Sequence, residues 1–146
     1  INFFIFKFRK MGKLIGIDYG LKRVGFAISD EEKIIASRLC NKKTHESYEF
    51  LKTFIQNNDI DAIIIGLPKD LKNNNTDITN HVKLFAKKIR KSFIDIPVYY
   101  EDERFTSKIA YKSLITLKLK RKQLRQKELV DEVSAVIILQ SYMYKN

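Results

Sequence analysis

The sequence predicts an α/β fold: a mixed five-stranded sheet, an antiparallel meander plus parallel strands, flanked by helices. Three observations predict it. The segment from Lys13 to Cys40 reads as three short strands joined by tight turns. Ile63-Ile64-Ile65 is a continuous apolar run, the pattern of a strand covered on both faces. Segments with helical apolar spacing separate that run from the strands before and after it.

Taken in order, Lys13 to Tyr19 is the first strand and ends at Gly20. Strand alternation puts Asp18 on the face that carries Leu14 and Gly16, opposite Ile15 and Ile17. Arg23 to Ser29 is the second strand, with Val24, Phe26 and Ile28 on one face and Gly25, Ala27 and Ser29 on the other. A face of such small residues lets another backbone or a helix come close. Asp30-Glu31-Glu32 makes a turn, and Lys33 to Cys40 is the third strand. Thr44 is placed to cap a helix from His45 to Asn57, whose inward stripe is Phe50, Leu51, Phe54 and Ile55. A strand over Asp61 to Gly66 follows, then a polar loop from Leu67 to Asn75. Thr76 or Asp77 starts the next helix, with Val82, Phe85, Ala86 and Ile89 facing inward. Ile96 to Tyr100 is a strand that runs into Glu101-Asp102-Glu103-Arg104. One helix is expected from Thr106 or Ser107, and a last, nearly all-apolar one from Glu128 to Tyr144.

A chain of 146 residues with 45% apolar content has room for one domain with a real core. It is too short for two lobes that close on a ligand. A formal charge of +11 favours an anionic partner, nucleic acid or an acidic membrane surface. Cys40 is the only cysteine, so no intramolecular disulfide forms, and the expected compartment is a reducing cytoplasm. No stretch approaches the roughly 18 apolar residues of a membrane helix. Residues 1–10 are apolar but interrupted by Lys7, Arg9 and Lys10, with no cleavage site for a signal peptide. They are expected to be an extension ahead of a start at Met11, with the domain spanning 11–146.

Three acidic positions stand out. Asp18, within Gly16-Ile17-Asp18-Tyr19-Gly20, ends an apolar strand, where an acid costs desolvation unless something compensates it. Alone it fits equally an Asp bonded to its own hairpin turn. Glu101-Asp102-Glu103 lies at the carboxyl end of a strand, where sites of open α/β sheets gather, and where structural acids are also common. Asp131 opens the last helix on a face shared with Ser134 and Ala135, so it could lie close to the sheet or simply complement the helix dipole. Together the three can converge in this topology. Clustered carboxylates repel one another unless divalent cations neutralise them, and oxygen-only ligands suit Mg²⁺ or Mn²⁺. Two such ions can activate water and stabilise the leaving oxygen of a phosphodiester.

These motifs resemble those of the YqgF (RuvX) family. Gly16-Ile17-Asp18-Tyr19-Gly20 with Lys22-Arg23, Gly25, Ala27 and Ser29-Asp30 is similar to its opening motif. Gly66-Leu67-Pro68, Asp102-Glu103-Arg104 with Thr106, and Val130-Asp131 with Ser134-Ala135 follow in the family's order and at similar spacing. Asn73-Asn74-Asn75 stands where the family's loop usually carries a Gly, and residues 1–10 have no family counterpart. The resemblance implies an RNase H-like fold related to the RuvC resolvases. It implies a nuclease that matures the 5′ end of the small-subunit (16S) ribosomal RNA precursor, or one that resolves Holliday junctions. By the same resemblance Asp18, Glu103 and Asp131 fall on the family's acidic positions as catalytic metal ligands, with Asp102 in reserve.

Between Lys108 and Lys127 the chain carries a basic run without an acid, including Lys118, Lys120, Arg121 and Lys122. Such a run is either a solvated lysine-rich surface or the electrostatic footprint of a nucleic-acid backbone. The expected nucleic-acid contacts are these four residues, with Lys22, Arg23 and Arg104 nearer the scissile phosphate. His45 and His81 have no metal-ligand spacing, and Cys40 is expected to pack as a small hydrophobe. The expected activity is Mg²⁺- or Mn²⁺-dependent cleavage of structured RNA, with branched DNA as the second substrate class and no membrane partner. A binding module without chemistry is the rival from another class. The phosphate hairpin of an actin-like ATPase, a third reading of Gly16 to Gly25, needs a second lobe for which the chain has no length.

Overall fold

A computed structural model describes residues 11–68, 76–103 and 127–145. The elements are β1 (Lys13–Tyr19), β2 (Arg23–Ser29), β3 (Ala36–Lys43), α1 (Thr44–Asn57), β4 (Ile60–Leu67), α2 (Asp77–Ser92), β5 (Val98–Asp102) and α3 (Lys127–Lys145). They form one five-stranded sheet in the order β3-β2-β1-β4-β5. β1, β2 and β3 pair antiparallel, while β4 joins β1 and β5 joins β4 in parallel. This is the mixed sheet expected from the sequence. The helix expected from Thr106 or Ser107 and the loop around Asn73-Asn74-Asn75 lie outside the described residues, as do Arg104, Lys118, Lys120, Arg121 and Lys122.

The sheet separates two apolar layers, and strand alternation decides which residue enters which. Ile15, Ile17, Val24, Phe26, Ile63 and Ile65 face α1 and α2, where Leu51, Val82, Phe85, Ala86 and Ile89 meet them. Leu14, Ala27, Ala62 and Ile64 face α3 and its Ala135, Val136, Ile138 and Leu139. Ile63, Ile64 and Ile65 are each fully buried because β4 is covered on both sides. The burial of α3 is concentrated in its middle, where Val133 and Ala135 through Leu139 are buried. Cys40 packs beside the first of these layers, and burial pushes its thiol up to about 11, the neighbouring Glu132 charge adding to the shift and Lys42 opposing it.

Three local expectations are corrected. β3 runs Ala36–Lys43 rather than Lys33 to Cys40, because the turn before it is longer. Asp30 accepts hydrogen bonds from the amides of Ile34 and Ile35 through Oδ1 (2.7 and 2.8 Å), and Lys33 takes the left-handed region at φ 60°. Thr44 is not the cap of α1: Lys43 occupies that position without a side-chain cap. The Thr44 hydroxyl donates instead to the Gly20 carbonyl (2.7 Å) and its amide to the Lys22 carbonyl (3.1 Å), tying the start of α1 to the β1–β2 turn. β5 begins at Val98 because the Ile96 amide bonds back to the Phe93 carbonyl (3.1 Å), and Pro97 has no N–H to offer a ladder. The start of α2 is as expected: Thr76 and Thr79 form a reciprocal capping box, and the Thr79 hydroxyl donates to the Pro68 carbonyl.

Candidate active site

Asp18 ends the α3-facing row of β1, and its register partner across β2 is Gly25. On the other side, the β1–β4 pairing of Ile17 with Ile65 leads to Gly66 as the next residue of β4. Asp18 is thus flanked across the sheet by two glycines. Each glycine makes room for something that closes on Asp18. A side chain at Gly25 would collide with the backbone of Asp131, which lies directly over it on α3. A side chain at Gly66 would collide with the Glu103 carboxyl group. The small-residue face read in β2 is therefore the seat of α3, and Asp131 reaches the sheet because Gly25 has no Cβ.

Glu103 follows β5 directly, and its amide donates to the Leu67 carbonyl (3.3 Å). Its carboxyl and that of Asp18 share a hydrogen bond. Both acids hold their protons more tightly than usual. Burial pushes Glu103 up to about 8, with the charge of Asp18, the hydrogen bond to Asp18 and the charge of Asp102 adding. Burial pushes Asp18 up to about 6, with the charge of Asp131 adding and the hydrogen bond from Glu103 opposing. At neutral pH Glu103 is accordingly the donor and Asp18 the acceptor. Asp102 acts on Glu103 as a neighbouring charge, while Glu103 itself touches Asp18.

Asp131 lies close enough for its charge to act on Asp18, but its own bond is to Arg23: Arg23 Nε donates to Asp131 Oδ2 at 2.8 Å. Its position in α3 is thus tied to β2 rather than left to the helix dipole. On the same helix, Glu132 accepts from Asn41 Nδ2 of β3 (3.2 Å). Lys22 is exposed at the β1–β2 turn. Among the described residues, no three Asp, Glu, His or Cys side chains converge on one ion position. The structure brings Asp18 and Glu103 into contact and holds Asp131 beside them, turned onto Arg23.

Two residues of this region were not singled out by sequence reasoning. Gly66 appeared only as part of a motif, since its proximity to Asp18 depends on the β1–β4 pairing. Glu101 appeared only within an acidic stretch. It is 4% exposed, and its Oε1 accepts from Ser141 Oγ (2.8 Å) and from Lys145 Nζ, which fastens the end of α3 to β5. Alternation in β5 was the available signal: Tyr99, which stacks on Tyr142, then Glu101, then Glu103 face α3 in turn.

The proton-loving pair has a consequence for stability. Glu103 and Asp18 bind protons more tightly in the folded protein than in the unfolded chain. Between about pH 4.5 and 8 the folded state therefore holds more protons, and stability falls as pH rises. With chelator present, the melting temperature is expected to decline from pH 5 to pH 8.5, and the decline to flatten in Glu103→Gln. Thermal unfolding across that range checks this; identical slopes for both proteins would contradict it.

Residues 12–145 match the model of the family described as RuvX: Holliday junction resolvase. The chain is 42% identical to a "Putative pre-16S rRNA nuclease" of Bacteroides fragilis over 133 residues, which is 91% of this chain and 96% of that protein. It is 41% identical over 135 residues to a protein of the same description from Christiangramia forsetii, covering 92% of this chain and all of that one. Among solved structures, T. thermophilus RuvC in complex with a Holliday junction substrate superposes with a TM-score of 0.56 at 18% identity, over 92% of this chain and 94% of that one. That likeness, with the sheet order above, shows an RNase H-like fold. The chain belongs to the RuvX family.

Proposed function

We propose that the protein is a divalent-metal-dependent nuclease that processes the 5′ end of the 16S ribosomal RNA precursor, and that Asp18, Glu103 and Asp131 are its catalytic metal ligands. The observation that carries this reading is the row across the sheet: Asp18 bonded to Glu103, with Asp131 seated over Gly25. Asp18 of β1 and Glu103 at the end of β5 carry a desolvation and repulsion cost, to which the charge of Asp131 on α3 adds at Asp18. A functional need accounts for it. The donor set is all oxygen and carboxylate-rich, which fits Mg²⁺ or Mn²⁺. When bound, such an ion supplies positive charge to the phosphodiester and to the water that attacks it.

The chain's own residues do the rest. Glu103 gives up its proton before its carboxyl becomes a ligand, so metal binding strengthens as pH rises toward 8. Lys22, Arg23 and Arg104 meet phosphates beside the cleaved bond, and the run holding Lys118, Lys120, Arg121 and Lys122 meets the backbone further away. A cytoplasmic location fits ribosomal RNA processing, and among the described residues no helix is long and apolar enough to cross a membrane.

The description shared by the relatives supports RNA as the substrate, while the family's own description favours a second reading, a branched DNA junction. Incubation with precursor ribosomal RNA and with a four-way DNA junction, each in Mn²⁺ and in chelator, separates them. Metal-dependent cleavage of the RNA at its 5′ side is the expected result. Binding of both without cleavage would leave a nucleic-acid-binding module instead.

The basic run has its own test. Replacing Lys118, Lys120, Arg121 and Lys122 with Gln is expected to weaken binding to duplex, junction and RNA by similar factors. If all four neutralise phosphates, the dependence of log affinity on log salt becomes shallower by roughly 3 to 4 on B-form DNA. Turnover at saturating substrate stays within about tenfold. An unchanged salt slope would make the run a solvated surface.

A further inference from the structure

We propose that Arg23 is the resident counterion of Asp131 in the metal-free protein, a positioning residue that a divalent cation displaces when it enters the site. The inference rests on the metal-ligand reading above and adds what that reading lacks, an account of why the three acids do not already converge. Asp18 and Glu103 touch, yet among the described residues no three carboxylates share an ion position, and the third carboxylate is held by a guanidinium. Arg23 Nε lies 2.8 Å from Asp131 Oδ2, with the two side chains 28% and 25% exposed, so the bond is partly shielded from water. Charge-assisted pairs of this kind are among the stronger hydrogen bonds in proteins.

The backbone of Arg23 cannot follow its side chain. Its carbonyl accepts from the Gly20 amide (2.9 Å), and the Lys22 carbonyl before it accepts from the Thr44 amide (3.1 Å). Displacement is therefore a swing of the side chain alone. The cation competes with Arg23 for Asp131, and the freed guanidinium stays at the mouth of the site, able to take a phosphate oxygen. Metal and phosphate binding are coupled through one side chain: the metal releases the group that the phosphate then engages. In the metal-free protein Arg23 holds Asp131 in place and lowers the repulsion within the acidic row.

Calorimetric titration of Mn²⁺ into the metal-free full chain tests this in wild type, Arg23→Gln, Asp131→Asn and the double variant. Arg23→Gln is expected to bind Mn²⁺ about tenfold more tightly, since the ion no longer pays for a competing partner. Arg23→Lys, which keeps the charge without the guanidinium, should fall between. In the Asp131→Asn background, Arg23→Gln should change nothing. Thermal unfolding supplies a second readout: Arg23→Gln lowers the melting temperature in chelator, and Mn²⁺ raises it by more than in wild type. Unchanged or weaker Mn²⁺ affinity in Arg23→Gln and Arg23→Lys, while Asp18→Asn still abolishes binding, would overturn the counterion role and leave the nuclease reading intact. Failure of the wild type to bind Mn²⁺ would overturn both.

Discussion

Gly25→Ala is expected to destabilise the metal-free protein by about 2–3 kcal/mol and to lower its melting temperature by roughly 10 °C. An added Cβ would run into the carbonyl oxygen of Asp131 and sit 2.5 Å from its carbonyl carbon, closer than side-chain carbons approach backbone. These are main-chain atoms of α3, so relief requires the helix to move. α3 is also pinned by Arg23, by Asn41 through Glu132, and by Glu101 at its far end. The strain thus spreads over the whole helix–sheet contact, and cleavage falls with it because Asp131 leaves the acidic row. Gly66→Ala is the instructive contrast. The added carbon meets the ends of the Glu103 and Ile138 side chains, which can turn aside. Its stability loss should be the smaller of the two, while its activity falls because Glu103 is pushed off Asp18. Equal stability of Gly25→Ala and wild type in thermal unfolding would contradict the close seat of α3 on β2.

Asp18→Asn is expected to reduce cleavage by at least about a thousandfold, a barrier increase of roughly 4 kcal/mol, while raising the melting temperature of the metal-free protein at pH 8. Asn keeps the shape of the side chain but cannot carry the charge that a metal needs. The gain in stability has the opposite origin. Asp18 is half-buried, repelled by Asp131 and hydrogen-bonded to Glu103, so a neutral group in its place relieves both desolvation and repulsion. An activity loss accompanied by a stability gain is the mark of a residue retained for chemistry. Robust cleavage by the purified variant would remove Asp18 from the mechanism.

Much of this arrangement is legible in the amino-acid sequence, and the boundary of legibility has a physical reason. Alternation along β1 assigns Asp18 to the Leu14 and Gly16 face without knowledge of any partner, because a strand's period is two. Gly25, Ala27 and Ser29 announce a close approach in the same way. The apolar character of α3 announces its burial. What one segment cannot announce is its partner. Arg23 reads as a phosphate ligand until α3, over a hundred positions later, is laid against it. Gly66 gains its meaning only from the parallel pairing of β4 with β1. Thr44 has the chemistry of a cap, yet its hydroxyl finds the Gly20 carbonyl across the sheet's end, a tertiary bond that local preference does not foresee. Among Glu101, Asp102 and Glu103, the sequence leaves the second proposed ligand open between the last two; Glu103 hydrogen-bonds Asp18, a contact that no local pattern announces.

Asp18, Glu103 and Asp131, from three separate elements, are proposed to form one metal site. Mn²⁺ binding at pH 8 by calorimetry tests it most directly, on wild type beside Asp18→Asn, Glu103→Gln and Asp131→Asn, each first shown to be folded by circular dichroism. The wild type is expected to bind saturably, and each single variant to lose at least about tenfold in affinity by removal of a charged ligand. Wild-type affinity for Mn²⁺ in folded Asp18→Asn or Asp131→Asn would contradict it.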